Sequence, residues 1–136
     1  MRVIVDTSVW SLALRRQAPS KNPEAVLLMK LIEEGEGIFL LGIILQEILQ
    51  GVKLHADFER LKEHFAAFPM LPIRREQYVR AAELRNLLTR KGVQTSTVDA
   101  LIAAAAMSHN CYLFTNDKDF QLIAKHSSLK LLTRYH

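Results

Sequence analysis

Arg2-Val3-Ile4-Val5-Asp6-Thr7-Ser8 opens the chain with a β-branched run that stops at three residues whose side chains favour helix N-caps. A strand delivered straight into a helix begins a strand–helix–strand unit rather than a hairpin, and the rest of the chain repeats that alternation. Trp10, Leu12 and Leu14 carry the first helix to the basic pair Arg15-Arg16. Asn22-Pro23-Glu24 then starts a second helix, with proline at the first helical position and an acid in the first turn. It runs through Leu27, Leu28, Leu31 and Ile32 to Gly35. Gly37-Ile38-Phe39-Leu40-Leu41 is short and apolar without alternation, the pattern of a strand buried on both faces. Gly42 leads into a helix with Ile44, Glu47, Ile48 and Leu49, closed by Gly51.

The middle of the chain reads as helical. Phe58, Leu61, Phe65 and Phe68 recur at helical spacing until Pro69 and Pro72. Tyr78, Ala81, Leu84 and Leu88 mark another helix, stopped by Lys91-Gly92. After Gln94-Thr95-Ser96, Val98 to Met107 is rich in alanine and able to pack close to a neighbour. Cys111-Tyr112-Leu113-Phe114 is the next strand, Thr115-Asn116-Asp117 opens a helix, and Leu129-Lys130-Leu131-Leu132 is a last short strand. No Asn-Gly or Asp-Gly hairpin signal interrupts the series. The expected fold is an α/β sandwich with a mostly parallel central sheet flanked by helices, in one domain spanning 1–136.

Composition narrows the function classes. With 136 residues, 49% hydrophobic and 24% charged, the chain has globular proportions and can bury a core, which excludes disordered and collagen-like classes. The single Cys111 excludes an intrachain disulfide and a cysteine-based zinc cluster, and suits a reducing cytoplasm. No run of about 18 apolar residues exists, so no spanning helix and no membrane partner are expected. A net charge of +4 and a pI near 9.4 favour polyanionic partners such as nucleic acid.

In open parallel sheets, ligands bind beyond the carboxyl ends of the strands. Asp6 and Asp117 follow two strands there, Asp99 opens the alanine-rich helix, and Glu47 lies in the helix after the second strand. Each acid alone has an ordinary explanation: Asp6 as a helix cap, Asp99 and Asp117 as first-turn acids, Glu47 on a solvated face with Gln46 and Gln50, Asp119 as a surface acid. Together they carry more weight. If the strand ending at Phe114 lies beside the first, Asp6 and Asp117 converge. Four carboxylates in one place would repel unless a cation neutralised them, and oxygen donors suit a hard cation such as Mg²⁺. Such a site suits phosphodiester hydrolysis, in which a cation activates water and stabilises developing charge. Thr7, Thr97 and Thr115 are small polar neighbours able to orient ligands. Setting the four acids aside leaves 18 basic against 10 acidic side chains, a surplus of +8 for a phosphate backbone. Candidate backbone contacts are Arg15, Arg16, Arg74, Arg75, Arg90 and Lys91, each of which, taken singly, is better explained as part of a solvated face. The five histidines have no ligand spacing, no phosphate-binding glycine loop or nucleophile elbow is present, and Trp10 is better read as core than as a base-stacking platform.

These residues resemble the motifs of PIN-domain ribonucleases, specifically VapC-type toxins of toxin–antitoxin pairs. Val3-Ile4-Val5-Asp6-Thr7-Ser8-Val9-Trp10 is similar to the family's opening strand and first acid, and Glu47-Ile48-Leu49-Gln50-Gly51 to its acid-and-glycine helix. Thr97-Val98-Asp99-Ala100-Leu101-Ile102-Ala103-Ala104 and Thr115-Asn116-Asp117-Lys118-Asp119-Phe120 resemble its third and fourth motifs. The resemblance implies a PIN-like sandwich and a Mg²⁺- or Mn²⁺-dependent endoribonuclease acting on structured RNA such as tRNA or rRNA. It implies a homodimer neutralised by a small VapB-type antitoxin that itself binds operator DNA. Asp6, Glu47, Asp99 and Asp117 inherit the metal-binding catalytic roles, with Asp119 as a possible fifth acid. The apolar helices at Ile43 to Leu49 and Leu54 to Phe68 are candidates for the antitoxin groove, with core packing as the competing explanation.

Three other readings remain in view. A housekeeping RNA-processing nuclease would share the site. A signalling receiver domain would place acids similarly, but Asp6-Thr7-Ser8 lacks its adjacent acid. A non-catalytic RNA-binding module would use the basic surface and leave the acids as caps.

Overall fold

The computed structural model describes residues 1–14 and 21–133, so the predicted contacts Arg15 and Arg16 lie outside the described residues. Four strands form one parallel sheet in the order β2-β1-β3-β4. They are β1 (Arg2–Val5), β2 (Gly37–Phe39), β3 (Tyr112–Phe114) and β4 (Lys130–Leu131). Between β1 and β2 come α1 (Thr7–Ala13) and α2 (Pro23–Glu33). Between β2 and β3 come α3 (Gly42–Gln50), α4 (His55–Phe65), α5 (Arg75–Arg90) and α6 (Thr97–Ser108), and α7 (Asp119–Lys125) precedes β4. A parallel bridge from Leu40 to Met70 extends the β2 edge.

β1 is one of the two inner strands, and its β-branched side chains suit that place: Val3, Ile4 and Val5 are wholly buried, covered on both faces. The chain leaves β1 toward β2 on one side and leaves β3 toward β4 on the other. The carboxyl ends of β1 and β3 therefore border a topological switch point, the crevice where open α/β sheets take their ligands. Trp10 of α1 is core as expected, edge-on to Phe65 at 4.9 Å and to Phe68 at 5.3 Å. The alanines of α6 do what their size allows, with Ala103, Ala105 and Ala106 fully buried against the sheet.

Helices α2 and α6 hand the chain to the strand that follows by one device. In α2, Gly35 adopts φ 71°, and Glu36 N–H returns to the Leu31 carbonyl at 3.0 Å. In α6, Asn110 takes the same role at φ 58°, with Cys111 N–H on the Ala106 carbonyl at 2.9 Å, and β3 starts at once.

Two expectations need correction. The buried stripe of α5 is Gln77, Ala81, Leu84 and Leu88, so Tyr78 stands outside it, 56% exposed. Gln77 can occupy the core because both ends of its amide are used, accepting from Arg74 N–H at 2.7 Å and donating to Ser108 Oγ at 2.9 Å. Asp117 does not open a helix. It lies in the loop after β3, where its Oδ1 accepts Asp119 N–H at 2.9 Å, and α7 begins at Asp119.

Candidate active site

The end of β1 delivers Asp6, 6% exposed, to the crevice between β1 and β3. Its backbone stands at the N-cap of α1, yet its side chain makes no capping bond. Instead Oδ2 accepts two hydroxyl protons, from Ser8 at 2.8 Å and from Thr115 at 2.9 Å. Thr115 Oγ1 in turn accepts Asp117 N–H at 3.0 Å, and Ser8 Oγ accepts Asn116 N–H at 3.0 Å. The loop bearing Asp117 and leading to Asp119 at the start of α7 is thereby laced to the start of α1. Glu47 joins from α3, where its Oε1 accepts the Thr7 hydroxyl at 3.1 Å. It is half-buried rather than solvated, while its neighbours Gln46 and Gln50 bond each other at 3.4 Å.

Asp99 comes from the first turn of α6, a helix capped by Ser96, whose hydroxyl accepts Asp99 N–H at 3.0 Å. Its carboxyl is pushed from 3.8 to about 6, first by burial and then by the negative charges of Asp117 and Asp6, with Asp119 adding a smaller push. Carboxylate oxygens of Asp99, Asp117 and Asp119 lie within 4.8 Å of one another. That spacing and the all-oxygen donor set fit a hard divalent cation, which would relieve both the burial cost of the Asp99 charge and the lesser repulsion from Asp117 and Asp6.

Other predicted residues are placed differently. Thr97 is exposed and lines a groove between α5 and α6 with Tyr78, Arg85 and Leu101, away from the bonds that tie the acids. Arg74 and Arg75 begin α5, whereas Arg90 and Lys91 end it, roughly 22 Å apart along the axis. Since α5 and α6 are antiparallel, Arg90 and Lys91 share the end of the molecule that holds Asp99. Arg74 and Arg75 share the other end, near Ser108. Sequence reasoning missed Ser8 as anything but a cap. It also missed Arg85, whose Nε donates to the Thr95 carbonyl at 2.9 Å, one residue before the α6 cap. Another groove lies elsewhere, a space of about 620 Å³ lined by Ala13, Leu14, Val52, Leu54, Leu61 and His64, among others.

The chain belongs to the PIN domain family, whose sequence pattern it matches over residues 3–126. Its fold is shared with toxin–antitoxin proteins of known structure. It superposes on VapBC2 from Rickettsia felis, bound to a DNA fragment from their promoter, with a TM-score of 0.78 at 22% identity, covering 96% of this chain and 97% of that one. FitAcB from Neisseria gonorrhoeae gives 0.75 at 24% identity, covering 95% of each chain. DNA-bound VapBC from Salmonella typhimurium gives 0.74 at 19% identity, covering 96% of each. Among curated proteins, no sequence matches.

Proposed function

We propose that the protein is the toxin of a toxin–antitoxin pair, a Mg²⁺- or Mn²⁺-dependent endoribonuclease that hydrolyses phosphodiesters of structured RNA such as tRNA or rRNA. The observation that carries this reading is the meeting of carboxylates from β1, α6 and the β3–α7 loop at the switch point of a PIN-domain sheet. When bound, the cation supplies Lewis-acid stabilisation of phosphate charge and acidifies water. Asp99 and Asp117, with Asp119, offer the closest oxygen donors. Asp6 and Glu47 complete the acidic wall, their side chains held by Ser8, Thr115 and Thr7. One carboxylate accepts the proton released by the attacking water. Arg90 and Lys91 are at the right end of the molecule to hold the RNA backbone.

A VapB-type antitoxin, itself the operator-DNA reader, is the proposed partner, and the chain acts as a homodimer. Complexes with antitoxins among the fold's relatives support that partner, as does the groove between α1 and α4, where Leu54 is 67% exposed. Among the described residues no helix is long and apolar enough to cross a membrane. The test is incubation of the antitoxin-free protein with total RNA and Mg²⁺ or Mn²⁺, beside chelator and Asp6→Asn controls. Discrete fragments lost in both controls are expected. Intact RNA with chelator-insensitive binding would instead identify a non-catalytic RNA-binding module.

A further inference from the structure

Ser8 does more than begin a helix. Each hydroxyl has one proton to give. Ser8 gives its proton to Asp6 Oδ2 at 2.8 Å, and Thr115 gives its own to the same oxygen at 2.9 Å. Their 3.3 Å approach to each other is therefore a contact between two acceptors already committed. Each then accepts a consecutive amide of the β3–α7 loop: Ser8 Oγ from Asn116 N–H at 3.0 Å, and Thr115 Oγ1 from Asp117 N–H at 3.0 Å. Two polar chains run from neighbouring peptide units through two hydroxyls into one carboxylate oxygen. No described hydrogen bond reaches Oδ1 of Asp6.

From this geometry we infer that Ser8 is a positioning residue. By saturating Asp6 Oδ2 together with Thr115, it leaves Oδ1 as the oxygen offered to a divalent cation. By accepting Asn116 N–H, it holds the loop that carries Asp117 and leads to Asp119 in register with Asp6. The inference rests on the metal-dependent reading proposed above. Ser8 acts through the carboxylate it orients, as residues behind metal ligands do.

The experiment is titration of the purified full-length chain with Mn²⁺ alone, followed calorimetrically and by loss of the free Mn²⁺ paramagnetic signal. Melting temperatures in chelator are measured in parallel. Ser8→Ala removes the hydroxyl, Ser8→Cys keeps the size with a weak donor, and Ser8→Thr keeps the donor. Ser8→Ala and Ser8→Cys are expected to bind Mn²⁺ about tenfold more weakly while melting as the parent does in chelator, and Ser8→Thr to bind near the parental level. Parental affinity in Ser8→Ala and Ser8→Cys overturns the inference while leaving the nuclease reading intact. Equal weakening in Ser8→Thr, or loss of the fold in both Ser8→Ala and Ser8→Cys, reduces Ser8 to packing and also overturns it. A parent chain that binds no Mn²⁺ overturns the metal-dependent reading itself, and the role of Ser8 with it.

Discussion

Asp6 gives one oxygen, Oδ2, to the scaffold, and on the proposed metal-dependent reading keeps Oδ1 for the chemistry. An amide at this position still has a carbonyl oxygen to accept from Ser8 and Thr115, so Asp6→Asn should fold, while the negative charge is gone. Cleavage of RNA by Asp6→Asn is expected to fall by about 100-fold or more, with an undiminished melting temperature in chelator. Asp99 yields a prediction in pH. Its carboxyl stands near 6 in the folded chain against 3.8 ordinarily, raised by burial and then by Asp117 and Asp6. Folding therefore takes up a proton: the contribution is complete below pH 3.8 and is lost as pH rises through about 6. In chelator the melting temperature should climb on acidification from about pH 7 to about pH 5, and Mn²⁺ should stabilise most at the upper end, where it does not compete with the proton. A metal-free protein that loses stability steadily over that window contradicts this assignment. Asp6, Asp99 and Asp117 stand out in the sequence because each follows a strand or opens a helix at the ligand-binding edge, whereas Glu47, in the middle of α3, stands out only through its resemblance to the family motif. Ser8 does not, because Asp-Thr-Ser reads equally well as a cap, and only the fold shows that the Asp6 side chain turns away from the helix it precedes.

Elements show which features are local and which depend on the whole. Asn22 caps α2 by accepting Ala25 N–H at 3.0 Å, and the sequence alone announces it through Pro23 and Glu24. Asn22→Ala should cost about 1 kcal/mol in urea unfolding with RNA cleavage unchanged, because α2 contributes no side chain to the acidic wall. In α6 the constraint is size. Ala105 is wholly buried between helix and sheet, so Ala105→Leu should destabilise by about 1–3 kcal/mol through overpacking, measured by the same unfolding curve. The alanine run predicted close packing, but not its direction, since a helix that is apolar all round has no single buried stripe. The misplacement of Tyr78 has a similar origin. A buried glutamine looks polar in sequence, and its two amide partners, Arg74 and Ser108, are visible only once α5 and α6 lie together. The end of α6 was legible to within one residue, since the alanine-rich run stops at Met107 and α6 at Ser108, and an asparagine at positive φ does there what glycine does elsewhere.

At the scale of the molecule, charge and topology set what the surface can do. Arg90 and Lys91 lie at the acidic end and Arg74 and Arg75 at the other. Removing the first pair by Arg90→Gln and Lys91→Gln should flatten the salt dependence of RNA binding by about 0.7 log units per lost phosphate contact, and removing the second pair should leave it unchanged. Filter binding across a salt series checks both. The alternation of strands and helices was readable from one end of the chain to the other. The order β2-β1-β3-β4 was not, because parallel pairing leaves no local turn signal to say which strands are neighbours. That order has a consequence in time. A nascent chain emerges amino end first, so β1 is made long before one of its two neighbours. Thr115, which closes the bond to Asp6, follows it by 109 residues. A ribosome stalled short of that point holds a polypeptide bearing Asp6, Glu47 and Asp99 but no assembled pocket. On the proposed reading, a chain translated only as far as Asp99 is disarmed, and the cation site is complete only once Thr115, Asp117 and Asp119 have been added.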